Sequence, residues 1–125
     1  MSIKVAVLGA KGRMGSEAIR AINGAKDLDL VAEIDLNDSL DLLVKNGAQV
    51  IVDFTHPDAV MNNIEFAINN GISVVVGTTG FDESKLNKIK GWLNSNPKVG
   101  ALIAPNFGLG AVLMMQFAAT AAKYF

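Results

Sequence analysis

The sequence contains no cysteine, which removes thiolate nucleophiles, zinc–thiolate sites and disulfides and is compatible with a reducing compartment. Histidine is nearly missing as well: His56 stands alone in DFTHPDA, and Asp53, His56 and Asp58 have no recognised ligand spacing, so no metal centre is expected. As a general acid His56 would have to face a reacting group; a solvated loop position is the plainer reading. Long apolar runs are also lacking. Half of the residues are hydrophobic, yet no run reaches the ~18 residues that cross a bilayer. Nothing resembles a charged segment followed by an apolar leader and a cleavage site. Finally, neither sign of charge is in excess: 11 basic against 12 acidic residues leave a net charge of −1, without the basic surplus of a nucleic-acid footprint. A soluble, unexported protein with no nucleic-acid or membrane partner is expected, and any anion it binds is held locally.

Glycine, by contrast, is plentiful and punctuates an alternation of strands and helices. At 125 residues the chain fits one domain, residues 1–125, large enough to bury roughly two-thirds of its unfolded surface without a staple. IKVAVLG (Ile3 to Gly9) is β-branched and apolar on both faces, as a central strand would be. RMGSEAIRAINGA then puts Met14, Ala18, Ala21 and Ile22 at helical spacing, with Gly24 as a stop. LDLVAEID (Leu28 to Asp35) predicts the second strand, and Asn37, Asp38 and Ser39 are cap candidates for a short helix ending at Gly47. AQVIVDFT (Ala48 to Thr55) is the third strand, followed by a helix that starts at Pro57 and closes at Gly71. ISVVVGTTG, an amphipathic DESKLNKIKGWLNSN, KVGALIAPNFG and a final apolar helix LGAVLMMQFAATAAKYF complete the pattern. Met114 and Met115 in that last segment read as packing residues. The class is α/β: a mostly parallel, doubly wound sheet with helices on both faces.

Ligands in such sheets bind beyond the carboxyl ends of the strands, near the point where strand order reverses. Four stretches meet that rule: GAKGRMG, EID, GTTGF and APNFG. The first is G-x-x-G-x-x-G (Gly9, Gly12, Gly15), placed between a strand and a helix so that backbone N–H groups can meet a phosphate. Asp35 lies twenty residues beyond Gly15 at the end of the next strand, where a carboxylate can accept both hydroxyls of an adenine ribose. The plain alternative is a tight turn in some other α/β domain. Lys11 and Arg13 can reach a pyrophosphate or a 2′-phosphate, or can simply be solvated. Leu36, directly after the acid, offers a 2′-phosphate no cation, which points to NAD(H) or to use of both cofactors. Gly77, Thr78 and Thr79 present hydroxyls and backbone to a nicotinamide riboside. Ala104 to Phe107 present backbone to a carboxamide, unless Asn106 merely caps the helix after Pro105.

Taken in order and spacing, VAVLGAKGRMG, VDFTHPDAV, VVGTTGF and IAPNFGLGAVLMMQFA closely resemble the amino-terminal domain of the dihydrodipicolinate (4-hydroxy-tetrahydrodipicolinate) reductases, over essentially the whole chain. The resemblance implies a Rossmann-like fold and an NAD(P)H-dependent oxidoreductase of the diaminopimelate route to lysine, cytoplasmic in bacteria and homotetrameric. It assigns cofactor contacts to Gly9, Ala10, Lys11, Gly12, Arg13 and Met14, to Asp35, to Gly77, Thr78 and Thr79, and to Ala104, Pro105, Asn106 and Phe107. Members that favour the 2′-phosphate often carry arginine where Leu36 stands, so NADPH preference is not implied. The family's second domain supplies a histidine pair, a lysine and a GT loop that hold a dicarboxylate substrate and provide the proton. None of these precedes Phe125. No catalytic residue is therefore expected among these residues, and the chain reads as the cofactor-binding half of a two-domain enzyme. A free-standing dinucleotide-binding or redox-sensing module is the alternative.

Overall fold

The structure, a computed structural model, describes residues 2–78 and 80–104. Five strands and four helices alternate: β1 (Ile3–Leu8), α1 (Arg13–Gly24), β2 (Leu28–Ile34), α2 (Asp41–Lys45), β3 (Val50–Asp53), α3 (Pro57–Asn69), β4 (Ser73–Val76), α4 (Glu83–Asn94) and β5 (Ala101–Ile103). All strand pairs are parallel, in the order β2-β1-β3-β4-β5. This is the doubly wound, Rossmann-like arrangement that the alternation predicts. The final apolar segment, with Met114 and Met115, lies outside the described residues.

The alternation of side chains along central strands explains why the sheet is covered twice. Ala6, Leu8, Ile51, Val74 and Val76 point to one face and pack with Leu43 of α2, Ile64 of α3 and Ile89 of α4. Val5, Val7, Val50, Val52 and Val75 point to the other and pack with Ala18 and Ile22 of α1. Burying one such aliphatic side chain fully contributes about 1.5–3 kcal/mol, so these two layers fix the sheet. On β2 the ladder slips by one residue: Val5 faces Leu30 but Ala6 faces Ala32, leaving Val31 without a partner. As a result Leu28 and Leu30 join the α1 layer, whereas Ala32 and Ile34 join the opposite one.

Helix boundaries follow local chemistry. Pro57 opens α3, where its missing N–H costs least. Gly71, at φ +76°, closes it with Ile72 N–H on the Ala67 carbonyl at 2.8 Å and Gly71 N–H on that of Ile68 at 3.1 Å. Helix α2 differs from expectation: its cap position is Leu40 rather than Asn37, Asp38 or Ser39. Ser39 Oγ instead accepts the Asp41 N–H, and the Asp38 carboxylate turns back to accept the N–H of Asp35.

Candidate functional site

From β1 the chain runs to β2 on one side, then returns to place β3 on the other. The loops leaving β1 and β3 therefore diverge, and a cleft of about 560 Å³ opens between them. Gly9, Lys11 and Gly12 line one wall, Asp35 and Leu36 the rim beyond β2, and Phe54, Thr55 and His56 the wall beyond β3.

The three glycines of the turn are small for different reasons. Gly9 has φ +80°, and a Cβ there would lie 2.8 Å from the Phe54 carbonyl oxygen. A Cβ on Gly15 would run into the Gly9 carbonyl, so this residue lets α1 pack on its own turn. Gly12 has ordinary extended geometry (φ −75°, ψ 171°), and its Cβ would come no nearer than 3.4 Å to the Gly9 carbonyl oxygen. Only Gly12 is thus bare without a demand from the protein itself. The turn is fastened to β2: the N–H groups of Gly9 and Ala10 both reach the Ile34 carbonyl, and Lys11 N–H reaches Asp35 Oδ2 at 2.7 Å. Helix α1 starts with Gly12 at its cap, so no side chain accepts from its first turn, and that turn carries no acidic residue. The amides of Arg13, Met14 and Gly15 precede any partner within the helix and form its positive end.

Asp35 is held as an anion. The Lys11 N–H and then the Leu36 N–H, at 2.7 and 2.8 Å on separate oxygens, keep its carboxyl below the ordinary 3.8, and the Lys11 ammonium adds to this against slight desolvation. Each oxygen keeps a lone pair for a further donor. Leu36 beside it is 83 % exposed.

The remaining candidates divide. Ala10 is buried and Met14, in the first turn of α1, packs against the core layer between that helix and the sheet, while Arg13 is exposed but does not line the cleft. Gly77 and Thr78 end β4 at the same carboxyl edge: Gly77 N–H donates to the Asp53 carbonyl at 2.9 Å and Thr78 Oγ1 to that of Thr55 at 2.7 Å. Ala104 follows β5 there, its N–H on the Val76 carbonyl. Thr79, Pro105, Asn106 and Phe107 lie outside the described residues. His56 is exposed at the cap of α3, and no group of acids and histidines that could hold a metal occurs among the described residues. Among them, too, no helix is long and apolar enough to cross a membrane.

Reading the residues by type missed one feature. Asp53, at the end of β3, is fully buried and accepts from Thr55 and Asn63. Its signal is a carboxylate closing an otherwise apolar strand, which must find donors inside the fold.

The family described as dihydrodipicolinate reductase, N-terminus, matches residues 3–107. The chain belongs to this family. Among relatives, the 4-hydroxy-tetrahydrodipicolinate reductase of Corynebacterium efficiens is 61 % identical over 125 residues, 100 % of this chain and 50 % of the relative. The reductase of that name from Nocardia farcinica is 52 % identical over the same 125 residues, again 50 % of its length. Among solved structures, a dipicolinate-bound dihydrodipicolinate reductase from Paenisporosarcina sp. TG-14 shares 31 % identity at a TM-score of 0.77, covering 100 % of this chain and 55 % of that one. The chain spans about half the length of the curated reductases it matches.

Proposed function

We propose that this chain is the dinucleotide-binding part of a 4-hydroxy-tetrahydrodipicolinate reductase of the diaminopimelate route to lysine, and that it binds NADH and NADPH in the cleft between the ends of β1 and β3. One observation carries the reading: Gly12, the cap of α1, which carries no side chain and leaves the helix start without a side-chain acceptor, lines the same cleft as the ionised Asp35. That pairing fits a ligand with phosphates at one point and ribose hydroxyls at another.

Bound there, the nicotinamide would supply a hydride. The first-turn amides of α1, with Gly9, Ala10, Lys11, Gly12, Arg13 and Met14, hold the pyrophosphate region. Asp35 accepts from the adenine ribose. Gly77, Thr78 and Thr79, with Ala104, Pro105, Asn106 and Phe107, serve the nicotinamide side. The Lys11 charge acts on Asp35 and offsets its repulsion of a 2′-phosphate, which supports use of both cofactors. The substrate in this reading is a small dicarboxylate, clamped and protonated by residues beyond these 125, in a cytoplasmic homotetramer. No catalytic group is assigned to the present chain.

Titrating the chain with NADH and NADPH, followed by nicotinamide fluorescence, tests the reading. Saturable binding of either is expected, and absence of both overturns it.

A further inference from the structure

Among the described residues Asp53 is the one charged side chain that is completely buried. Three donors converge on it: Thr55 N–H at 2.8 Å and Thr55 Oγ1–H at 2.6 Å on Oδ1, and Asn63 Nδ2–H at 3.1 Å on Oδ2. The same Asn63 amide reaches Thr55 Oγ1 at 3.2 Å. Every contact asks Asp53 to accept, so the geometry is that of a carboxylate, although burial pushes its pKa upward against these donors. For stability alone, apolar residues in place of both Asp53 and its donors would serve as well at this depth. What the carboxylate adds is direction.

It orients a short piece of backbone that touches both halves of the site. On one side, Phe54 N–H donates to the Leu8 carbonyl at 3.0 Å, and the Phe54 carbonyl fills the space where Gly9 would carry a side chain. On the other, the Asp53 carbonyl takes the Gly77 N–H at 2.9 Å, and the Thr55 carbonyl takes the Thr78 hydroxyl at 2.7 Å. Residues 53–55 are thus the strut between the glycine turn and the Gly77–Thr78 turn. Asp53 itself does not line the cleft and acts only through its neighbours.

We propose that Asp53 is a positioning residue of the dinucleotide site: by holding Thr55 and Asn63 it sets the spacing between the turn that takes the phosphates and the turn that takes the nicotinamide side. This rests on the dinucleotide reading above. Nothing in the family's name or in the cofactor-contact pattern assigns Asp53 a role.

The test is an exchange of partners. Asp53→Asn keeps an acceptor for Thr55 but either sets one amide NH₂ against another at Asn63 or turns the Asn63 amide over and removes its donor from Thr55 Oγ1, and should weaken NADH about tenfold, the scale of one lost charge-assisted hydrogen bond. Asn63→Asp alone sets carboxylate against carboxylate and should weaken NADH at least as much. The double variant Asp53→Asn/Asn63→Asp again faces a donor with an acceptor and should recover affinity to within about threefold of wild type. Should Asp53→Asn not fold, Thr55→Val removes the hydroxyl bonded to both partners and should weaken NADH about fivefold, with Thr55→Ser restoring most of it. Circular dichroism and urea unfolding accompany each titration. Wild-type chain that binds neither NADH nor NADPH overturns the dinucleotide reading and this proposal with it, and a chain that binds NADPH alone is put through the same comparisons with NADPH. Wild-type binding with unchanged affinity in folded Asp53→Asn, or a folded exchange variant as weak as Asp53→Asn, overturns the positioning role alone. In the Thr55 arm, unchanged affinity in Thr55→Val overturns it equally.

Discussion

Replacing Gly12 and Gly15 one at a time should separate binding from folding within a single turn. Gly12→Val places a β-branched residue at φ −75°, ψ 171°, a conformation it prefers, with the nearest protein atom 3.4 Å from its Cβ. Its cost to the fold is that of a poor cap residue, about 1 kcal/mol, or a fall of roughly 4 °C in melting temperature. The side chain would project where the phosphates are proposed to sit. Losing two charge-assisted hydrogen bonds there, each about 1.5–3 kcal/mol, weakens NADH at least about a hundredfold. Gly15→Ala is chemically gentler but drives its Cβ into the Gly9 carbonyl, with backbone on both sides and little room to yield. Overpacking of this kind costs about 3 kcal/mol at the upper end of its usual range, so the melting temperature should drop by ~12 °C. Thermal circular dichroism and NADH titration on the same samples give both numbers. A folded Gly12→Val chain that binds NADH as wild type does, or a Gly15→Ala chain as heat-stable as wild type, would refute the division of roles.

Three further outcomes follow from the same geometry. Asp35→Ala should weaken NADH roughly tenfold to a hundredfold but NADPH less, because it also removes a charge that repels a 2′-phosphate; equal losses for the two cofactors would exclude Asp35 from the ribose. Stability should depend on pH in opposite senses through two carboxylates, read as the difference between wild type and Asp53→Asn or Asp35→Asn in urea unfolding at successive pH values. Asp53 has a raised pKa in the fold, so wild type should gain on Asp53→Asn as pH falls from above that value toward 3.8; Asp35, lowered, contributes stability above 3.8 that is lost as pH falls through its folded value. A pH-independent gap in either comparison contradicts the assigned cause. Finally, the chain should bind NADH without oxidising it when freshly generated 4-hydroxy-tetrahydrodipicolinate is added, since proximity worth about 7–11 kcal/mol depends on groups that clamp the substrate; turnover like that of an intact relative would place catalytic groups within these residues, His56 first.

The order of strands and helices was legible because each central strand is apolar on both faces and each helix on one, a pattern that local composition displays directly. The placement of the candidate stretches was legible for a topological reason: strand ends in a doubly wound sheet gather at one rim, so GAKGRMG, Asp35, Gly77–Thr78 and Ala104 all had to lie along it, and the first two line one cleft. What stayed hidden depends on contacts between distant residues. Asp53 and Asn63 are ten positions apart on different elements, and only the packing of α3 on β3 makes one the donor to the other. Glycine spacing could not show that Gly15 is needed by Gly9, or that Gly12 is needed by nothing in the protein. The third strand stops short of the expected Ala48–Thr55 because Ala48 N–H still closes α2 onto the Leu43 carbonyl and Thr55 turns back onto Asp53. Cap candidates Asp38 and Ser39 were spent on neighbouring amides, which moved the start of α2 to Asp41.

The unpartnered Val31 gives β2 a spare unit of length. Were Val31 deleted, Leu30 would still face Val5 and Ala32 would still face Ala6, now in an unbroken ladder, and Ile34 and Asp35 would keep their places at the cleft. The loss would be confined to the contacts Val31 makes with the layer on its side of the sheet. An insertion has no such outlet, because a second extra residue would either widen the slip or turn Ala32 and Ile34 toward the wrong layer. Change in chain length at this edge is therefore asymmetric: β2 can shorten by one residue, regain an unbroken ladder and leave Asp35 where it is, whereas lengthening by one costs either a wider slip or the facing of Ala32 and Ile34.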